Sequence, residues 1–210
     1  MARNERRFEL EDGAELVVVT GFLSAPERAA LLDESQSYPW EQKPVMGVPT
    51  LRKNAWFADD PSAIYEYSGQ RWLPVPLTPR QTELRDRLER FLDERLDAVL
   101  AGYYPHGGAG VGYHADDEPI LGPNPTIASL SIGARRVFQV ARTSRARLIV
   151  AELELPLDDG DLLVMRKSFQ RCYRHALKKE SKSIGPRLNL SYRKLVASGG
   201  AVQQNPASRA

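Results

Sequence analysis

From residue 111 onward the chain breaks into short apolar segments separated by turn residues, and this rhythm narrows the folds open to it. The segments fall near 111–115, 126–132, 137–141, 148–155, 161–165, 172–175 and 187–194. Turn signals stand between several of them, among them Gly122-Pro123-Asn124-Pro125 and Asp158-Asp159-Gly160. Short strands at regular spacing, closed by such residues, argue for a β-sandwich or jelly roll.

The first half adds helices and further strands. Leu16-Val17-Val18-Val19 is apolar and β-branched and reads as a strand. Ser24 and Glu27 have the spacing of a capping box, which predicts a helix to about Gln36 with Leu31 and Leu32 facing inward. Pro39-Trp40 ends it. Thr78, Pro79 and Gln81 open a second helix as N-cap, N1 and N3. Its Leu84, Leu88, Phe91 and Leu92 form an amphipathic stripe. Ala98 to Tyr104 reads as a strand, and His106 as a solvated loop histidine. Between the helices, residues 44–79 are rich in proline and carry Trp56, Phe57, Tyr65, Tyr67 and Trp72. Aromatic density on short strands suits ordinary packing and base stacking alike.

The chain has 210 residues, 42% of them apolar, with no repeat and no internal boundary, so a single domain over 1–210 is expected. A formal net charge of +2 is mildly basic and compatible with nucleic acid without requiring it. The single cysteine, Cys172, excludes an internal disulfide framework and reads as a small buried residue. No apolar run reaches the roughly 18 residues of a membrane span. The charged stretch from Met1 to Arg7 lacks a signal-peptide core and reads as frayed. A soluble, cytoplasmic monomer is the expectation, with a disordered polar tail over 198–210.

Two patterns carry chemistry. In Gly112-Tyr113-His114-Ala115-Asp116-Asp117-Glu118, a strand would place His114 and Asp116 on one face. An imidazole and a carboxylate side by side are two-thirds of the facial triad used for non-haem Fe(II). A third ligand must come from another histidine, and His175 follows the strand-like run 161–165. The second pattern is Arg187-Leu188-Asn189-Leu190-Ser191-Tyr192-Arg193. On a strand, one face reads Leu, Leu, Tyr and the other Arg, Asn, Ser, Arg. Two arginine forks on one polar face suit a dianion. A local basic run, Arg135, Arg136, Arg142, Arg145 and Arg147, either contacts phosphates or forms a solvated hairpin.

Taken with Ala55-Trp56-Phe57, Tyr65-Glu66-Tyr67-Ser68-Gly69 and Pro125 to Gly133, these motifs resemble the AlkB family of Fe(II)/2-oxoglutarate dioxygenases. The resemblance runs over about residues 50 to 195 and is to the branch that demethylates nucleic-acid bases. It implies an α+β, mainly β fold: a double-stranded β-helix (jelly roll) core over about 98–195, N-terminal helices packed on one sheet, and a nucleotide-recognition lid over about 44–79. It implies Fe(II) on His114, Asp116 and His175. It implies 2-oxoglutarate anchored by Arg187 and Arg193 with Asn189, Ser191 and Tyr104, and O₂ as co-substrate. Methylated DNA or RNA would meet Trp56, Tyr67, Ser68, Glu118 and Arg145, with Tyr67 stacking on the target base and Glu118 beside it. The expected reaction hydroxylates an N-methyl carbon of 1-methyladenine or 3-methylcytosine, releasing formaldehyde. One position departs from the family: Gly102 stands where an asparagine usually donates to 2-oxoglutarate. The loss is one hydrogen bond, about 0.5–1.5 kcal/mol net. A changed pocket leaves a second reading, a hydroxylase acting on a small molecule in biosynthesis. A non-catalytic nucleic-acid binder is the third, against which the complete triad and the arginine strand argue.

Overall fold

The computed structural model describes residues 4–45, 47–67, 69–143, 151–180 and 183–196. Its elements in chain order are β1 (Asn4–Glu9), β2 (Ala14–Thr20), α1 (Ala25–Glu34), β3 (Lys53–Ala58), β4 (Tyr65–Tyr67), β5 (Gln70–Trp72) and α2 (Pro79–Leu92). There follow β6 (Ala98–Tyr104), β7 (Val111–His114), β8 (Ile127–Gly133), β9 (Arg136–Arg142), β10 (Leu153–Leu157), β11 (Leu162–Lys167), the short α3 (Phe169–Cys172), β12 (Tyr173–Leu177) and β13 (Arg187–Arg193). Seven strands form one sheet in the order β1-β2-β11-β8-β13-β6-β3, and four form a second, β10-β9-β12-β7. The hairpin β4-β5 stands apart. The two larger sheets build the expected jelly roll.

Alternation along the strands creates two cores. Val17, Val19, Leu130, Val164, Leu188, Leu190 and Tyr192 face the helices, where Leu31, Leu84, Leu88 and Leu92 cover them. Leu16, Val18, Leu163 and Met165 face the other way and meet Phe138, Val140, Leu155 and Leu157 of the small sheet. Period-2 side-chain alternation makes this two-sided burial possible. Both helices start as their sequences predict. Ser24 and Thr78 each form a capping box, with Glu27 and Gln81. A left-handed Asp93 ends α2, and the Tyr192 hydroxyl donates to the Gln81 carbonyl at 3.0 Å, tying α2 to β13.

Three expectations change. The N-terminus is not frayed from residue 4 on: β1 pairs with β2 in continuous antiparallel register. Its side chains are mostly exposed, so backbone hydrogen bonds and not a hydrophobic pattern place it. The jelly-roll sheet is not confined to 98–195, because β2 pairs with β11 and β3 with β6. Part of the expected lid segment is therefore an edge strand of the large sheet, its Ala55 and Phe57 buried in the helix-side core. Arg136 of the basic run is neither solvated nor free for a phosphate. It is 1% exposed and donates to the carbonyls of Gly107, Ala109 and Lys178. The 198–210 tail, Ser68, Arg145 and Arg147 lie outside the described residues. No helix among those described is long and apolar enough to cross a membrane.

Candidate active site

Strand pairing assembles the histidines. β12 lies beside β7, and His175 stands directly opposite His114 in their register. The rings are 4.2 Å apart between centroids. β7 ends at His114, so Asp116 is held by a different device from the strand face the spacing suggests. Its backbone N–H donates to the buried Gln170 Oε1 on α3 at 2.9 Å. One donor atom from each of His114, Asp116 and His175 lies within 4.8 Å of the others. His106, by contrast, accepts from the Gly108 N–H within its own loop.

The three groups are in ligand form. His114 Nδ1 donates to the Gly112 carbonyl at 2.9 Å, which leaves Nε2 with its lone pair. His175 lies against Phe138, ring centroids 5.2 Å apart, and near Phe169. Burial, with His114 beside it, pushes the His175 imidazolium down to about 3. Burial also lowers His114. Burial alone would raise the Asp116 carboxyl, but Arg193 and the two histidines outweigh it and hold it below the ordinary carboxylate value. Two neutral imidazoles and one carboxylate are therefore gathered at neutral pH. The buried Nδ1 of His175 has no hydrogen-bond partner among the described residues. The set fits a divalent iron with open coordination positions.

β13 lies inside the large sheet, between β8 and β6, with its apolar face under the helices and its polar face toward the small sheet. Arg187, Ser191 and Arg193 line a cavity together with Tyr104, Tyr67, His114, Asp116 and His175. The arginines differ in role. Arg193 is committed: it donates to Asp116 Oδ2 at 3.0 Å and to the Tyr65 hydroxyl at 2.8 Å. Arg187 is 3% exposed, donates to Ser131 Oγ at 2.7 Å and has no carboxylate partner among the described residues. Its Nε has no hydrogen-bond partner among the described residues. Burial pulls its guanidinium down to about 10. A buried cation facing a cavity without a counter-ion is a standing site for an anion, because isolated buried charge is costly. Asn189 does not line the cavity. Its amide donates to Ser129 Oγ and the Leu130 carbonyl, each at 2.8 Å, and Ser191 Oγ donates to its Oδ1. It braces the strand.

On the outer side, Tyr67 lines the cavity with its ring 6.4 Å from that of His114, at 63°. Glu118 is 9% exposed, and burial together with Asp116 raises its carboxyl. Trp56, expected against the substrate, is a correction. It is 2% exposed, donates to the Ala63 carbonyl at 2.6 Å and stacks on Tyr65 at 4.6 Å. Tyr65 in turn lies parallel to Tyr67. Trp56 thus supports the aromatic tier from below and does not line the cavity.

Three cavity residues escaped the sequence: Arg52, Asn54 and Tyr65 as a partner of Arg193. Arg52 is 8% exposed, its guanidinium 5.8 Å from the Tyr67 ring centroid. The available signal was alternation back from Trp56, which puts 52, 54 and 56 on one face.

Residues 15–193 match the family model described as the 2OG-Fe(II) oxygenase superfamily. The chain belongs to this superfamily. It is 33% identical over 191 residues to alpha-ketoglutarate-dependent dioxygenase alkB homolog 3 of Mus musculus, covering 82% of this chain and 63% of that protein. It is 34% identical over 149 residues to the DNA oxidative demethylase ALKBH2 of Homo sapiens, covering 69% of this chain and 57% of that protein. The chain thus spans less than two thirds of the length of these curated relatives. The solved structure of OsALKBH1 superposes with a TM-score of 0.58 at 18% identity, over 85% of this chain and 97% of that one, a likeness of fold. The superfamily's Fe(II), 2-oxoglutarate and O₂ suit the residues described. His114, Asp116 and His175 form a possible iron site, and the uncompensated Arg187 suits an anionic ligand.

Proposed function

We propose that the protein oxidatively demethylates N-alkylated bases in DNA or RNA, such as 1-methyladenine and 3-methylcytosine, releasing formaldehyde in the repair of alkylation damage. The observation that carries the reading is Tyr67: an aromatic ring at the cavity wall, held by a stack of rings and set across from the metal-ligating His114. An enzyme that acts on a base must take it out of the stack and hold it between flat or apolar surfaces. Iron with 2-oxoglutarate and O₂ supplies the oxidising chemistry when bound.

The chain's own residues do the rest. Arg187 fixes one end of the cosubstrate by charge, and Arg193 keeps Asp116 ionised and turned toward the histidines. Tyr67 and His114 flank the base and so orient its methyl group toward the metal set. Glu118, buried near Asp116 and Tyr65, is a further carboxyl close to the metal set, and its ionised form attracts the cationic ring of a methylated base. The similarity to the DNA oxidative demethylase ALKBH2 supports the same substrate class.

The test is formaldehyde release and product mass on methylated oligonucleotides with Fe(II), 2-oxoglutarate and ascorbate, with His175→Ala as the inactive control. Demethylation by the wild type and none by His175→Ala is the expected result. Turnover of 2-oxoglutarate with no formaldehyde from any methylated oligonucleotide would shift the reading to a small-molecule hydroxylase.

A further inference from the structure

Asn54 on β3, Gly102 on β6 and Asn189 on β13 form one row across the large sheet. Residues paired across antiparallel strands project to the same face. The row lies one alternation along β6 and β13 from the directly paired Arg187 and Tyr104. It therefore borders the part of the cavity where the uncompensated guanidinium stands.

The three members are in different states. Asn189 is saturated by Ser129, Leu130 and Ser191. Gly102 offers no side chain, and a Cβ placed on it would stand 3.6 Å from Asn54 Oδ1 and 3.4 Å from Tyr104 Cε2. The Asn54 carboxamide thus stands beside the glycine with Oδ1 nearest, and a half-turn of the unbonded amide about its last torsion puts the donor Nδ2 in the same place. It lines the cavity with Gly102, Tyr104 and Arg187. Its backbone is paired with Glu41, but its side chain has no hydrogen-bond partner among the described residues. Of the row's two amides, only this one is free, and it faces the cavity.

We propose that Asn54 is a cosubstrate-binding residue, whose amide Nδ2 donates to a carboxylate of 2-oxoglutarate through the space that Gly102 leaves open. The inference rests on the iron and 2-oxoglutarate reading of the site and adds a donor from a neighbouring strand. A carboxylate offers about four acceptor positions. Arg187 already spends one of its donors on Ser131. A neutral amide beside it adds donors without adding a second buried charge. Gly102 is then the residue that makes room: any side chain there would occupy the path from β3 to the ligand.

The test measures binding apart from turnover. The full chain is loaded with Mn(II) in place of Fe(II), without O₂, and titrated with 2-oxoglutarate by calorimetry. Asn54→Ala is expected to raise the Kd by roughly 10- to 100-fold, the range for a hydrogen bond to a charged group. Asn54→Ala combined with Gly102→Asn, which returns an amide from β6, is expected to recover most of that loss. A purely structural role for Asn54 would give no such rescue. Should Asn54→Ala fail to fold, Asn54→Asp keeps the shape and places a negative charge against the dianion, so its Kd should rise further still. An unchanged Kd in these variants, or a raised Michaelis constant for the oligonucleotide alone, overturns the proposal. Failure of the wild type itself to bind 2-oxoglutarate would instead overturn the underlying reading of the site.

Discussion

Arg193 Nη2 lies 3.0 Å from Asp116 Oδ2, and their side chains are 3% and 6% exposed. The pair joins β13, an interior strand of the large sheet, to the proposed metal set. Removing one partner of a buried pair leaves an uncompensated charge, at about 3–5 kcal/mol. Arg193→Met should therefore destabilise the metal-free protein by that order in urea unfolding. Adding Asp116→Asn should restore part of it. Equal losses in the single and double variants would mean that the two groups do not interact.

Arg187 behaves in the opposite way, because it has no carboxylate to lose. Replacing it with methionine removes a buried charge, a change often neutral or stabilising. Metal-free Arg187→Met should match or exceed the wild type in unfolding midpoint while losing 2-oxoglutarate binding. Arg187→Lys keeps the charge without the fork, and the Michaelis constant for 2-oxoglutarate should rise. A normal constant in Arg187→Lys would remove the residue from the cosubstrate site.

Tyr67 is a face and not a hydroxyl in the proposed role. Base–aromatic stacking is worth roughly 1–3 kcal/mol by alanine substitution. Tyr67→Ala should lower kcat/KM on a methylated oligonucleotide by roughly 5- to 150-fold. Tyr67→Phe should keep most of it, and 2-oxoglutarate turnover without substrate should barely move in either. Normal demethylation by the alanine variant would make Tyr67 a packing residue only.

The buried histidines set an acid limit on the metal-free protein. His175 takes a proton near 6.5 when unfolded, but burial and His114 hold it down to about 3 in the folded state. Between those values the unfolded chain binds more protons, so stability falls as pH drops from about 6.5 toward 3. Asp116, lowered in the fold, adds to the loss only below its ordinary value of 3.8. Glu118 is raised and acts in the opposite sense, but it is common to wild type and variant. Denaturant unfolding from pH 7 to 4 should thus show a shallower fall in His175→Gln than in wild type. Parallel curves would mean that His175 is not held neutral by the fold.

The arginine strand was legible because its alternation matches strand geometry, whereas Asp116 lies beyond the end of β7 and is held beside the histidines by Gln170, which the spacing does not show. Both helix starts were legible because capping chemistry is local. What escaped is chemistry supplied by neighbours across the sheet. Asn54 has meaning only beside Gly102, from which it is separated by the whole of α2. Trp56 looked like a substrate contact because a sequence shows an aromatic but not which ring of a stack is uppermost. β1 was missed because its order comes from backbone pairing, which charged side chains do not advertise. Arg136 read as one of a surface run because nothing local shows that three carbonyls wait for it.

The interior position of β13 has a consequence for how the two sides of the cavity open. Its backbone amides are paired on both sides, with β8 and with β6. Exposing them to exchange with deuterium requires opening the sheet, so the Arg187–Arg193 segment should exchange near the slow, global limit. Tyr67 sits on a two-stranded hairpin outside both large sheets, where opening is local and cheap. On the proposed roles, the substrate wall is therefore the part of the site that opens most readily and the cosubstrate wall the part that opens least.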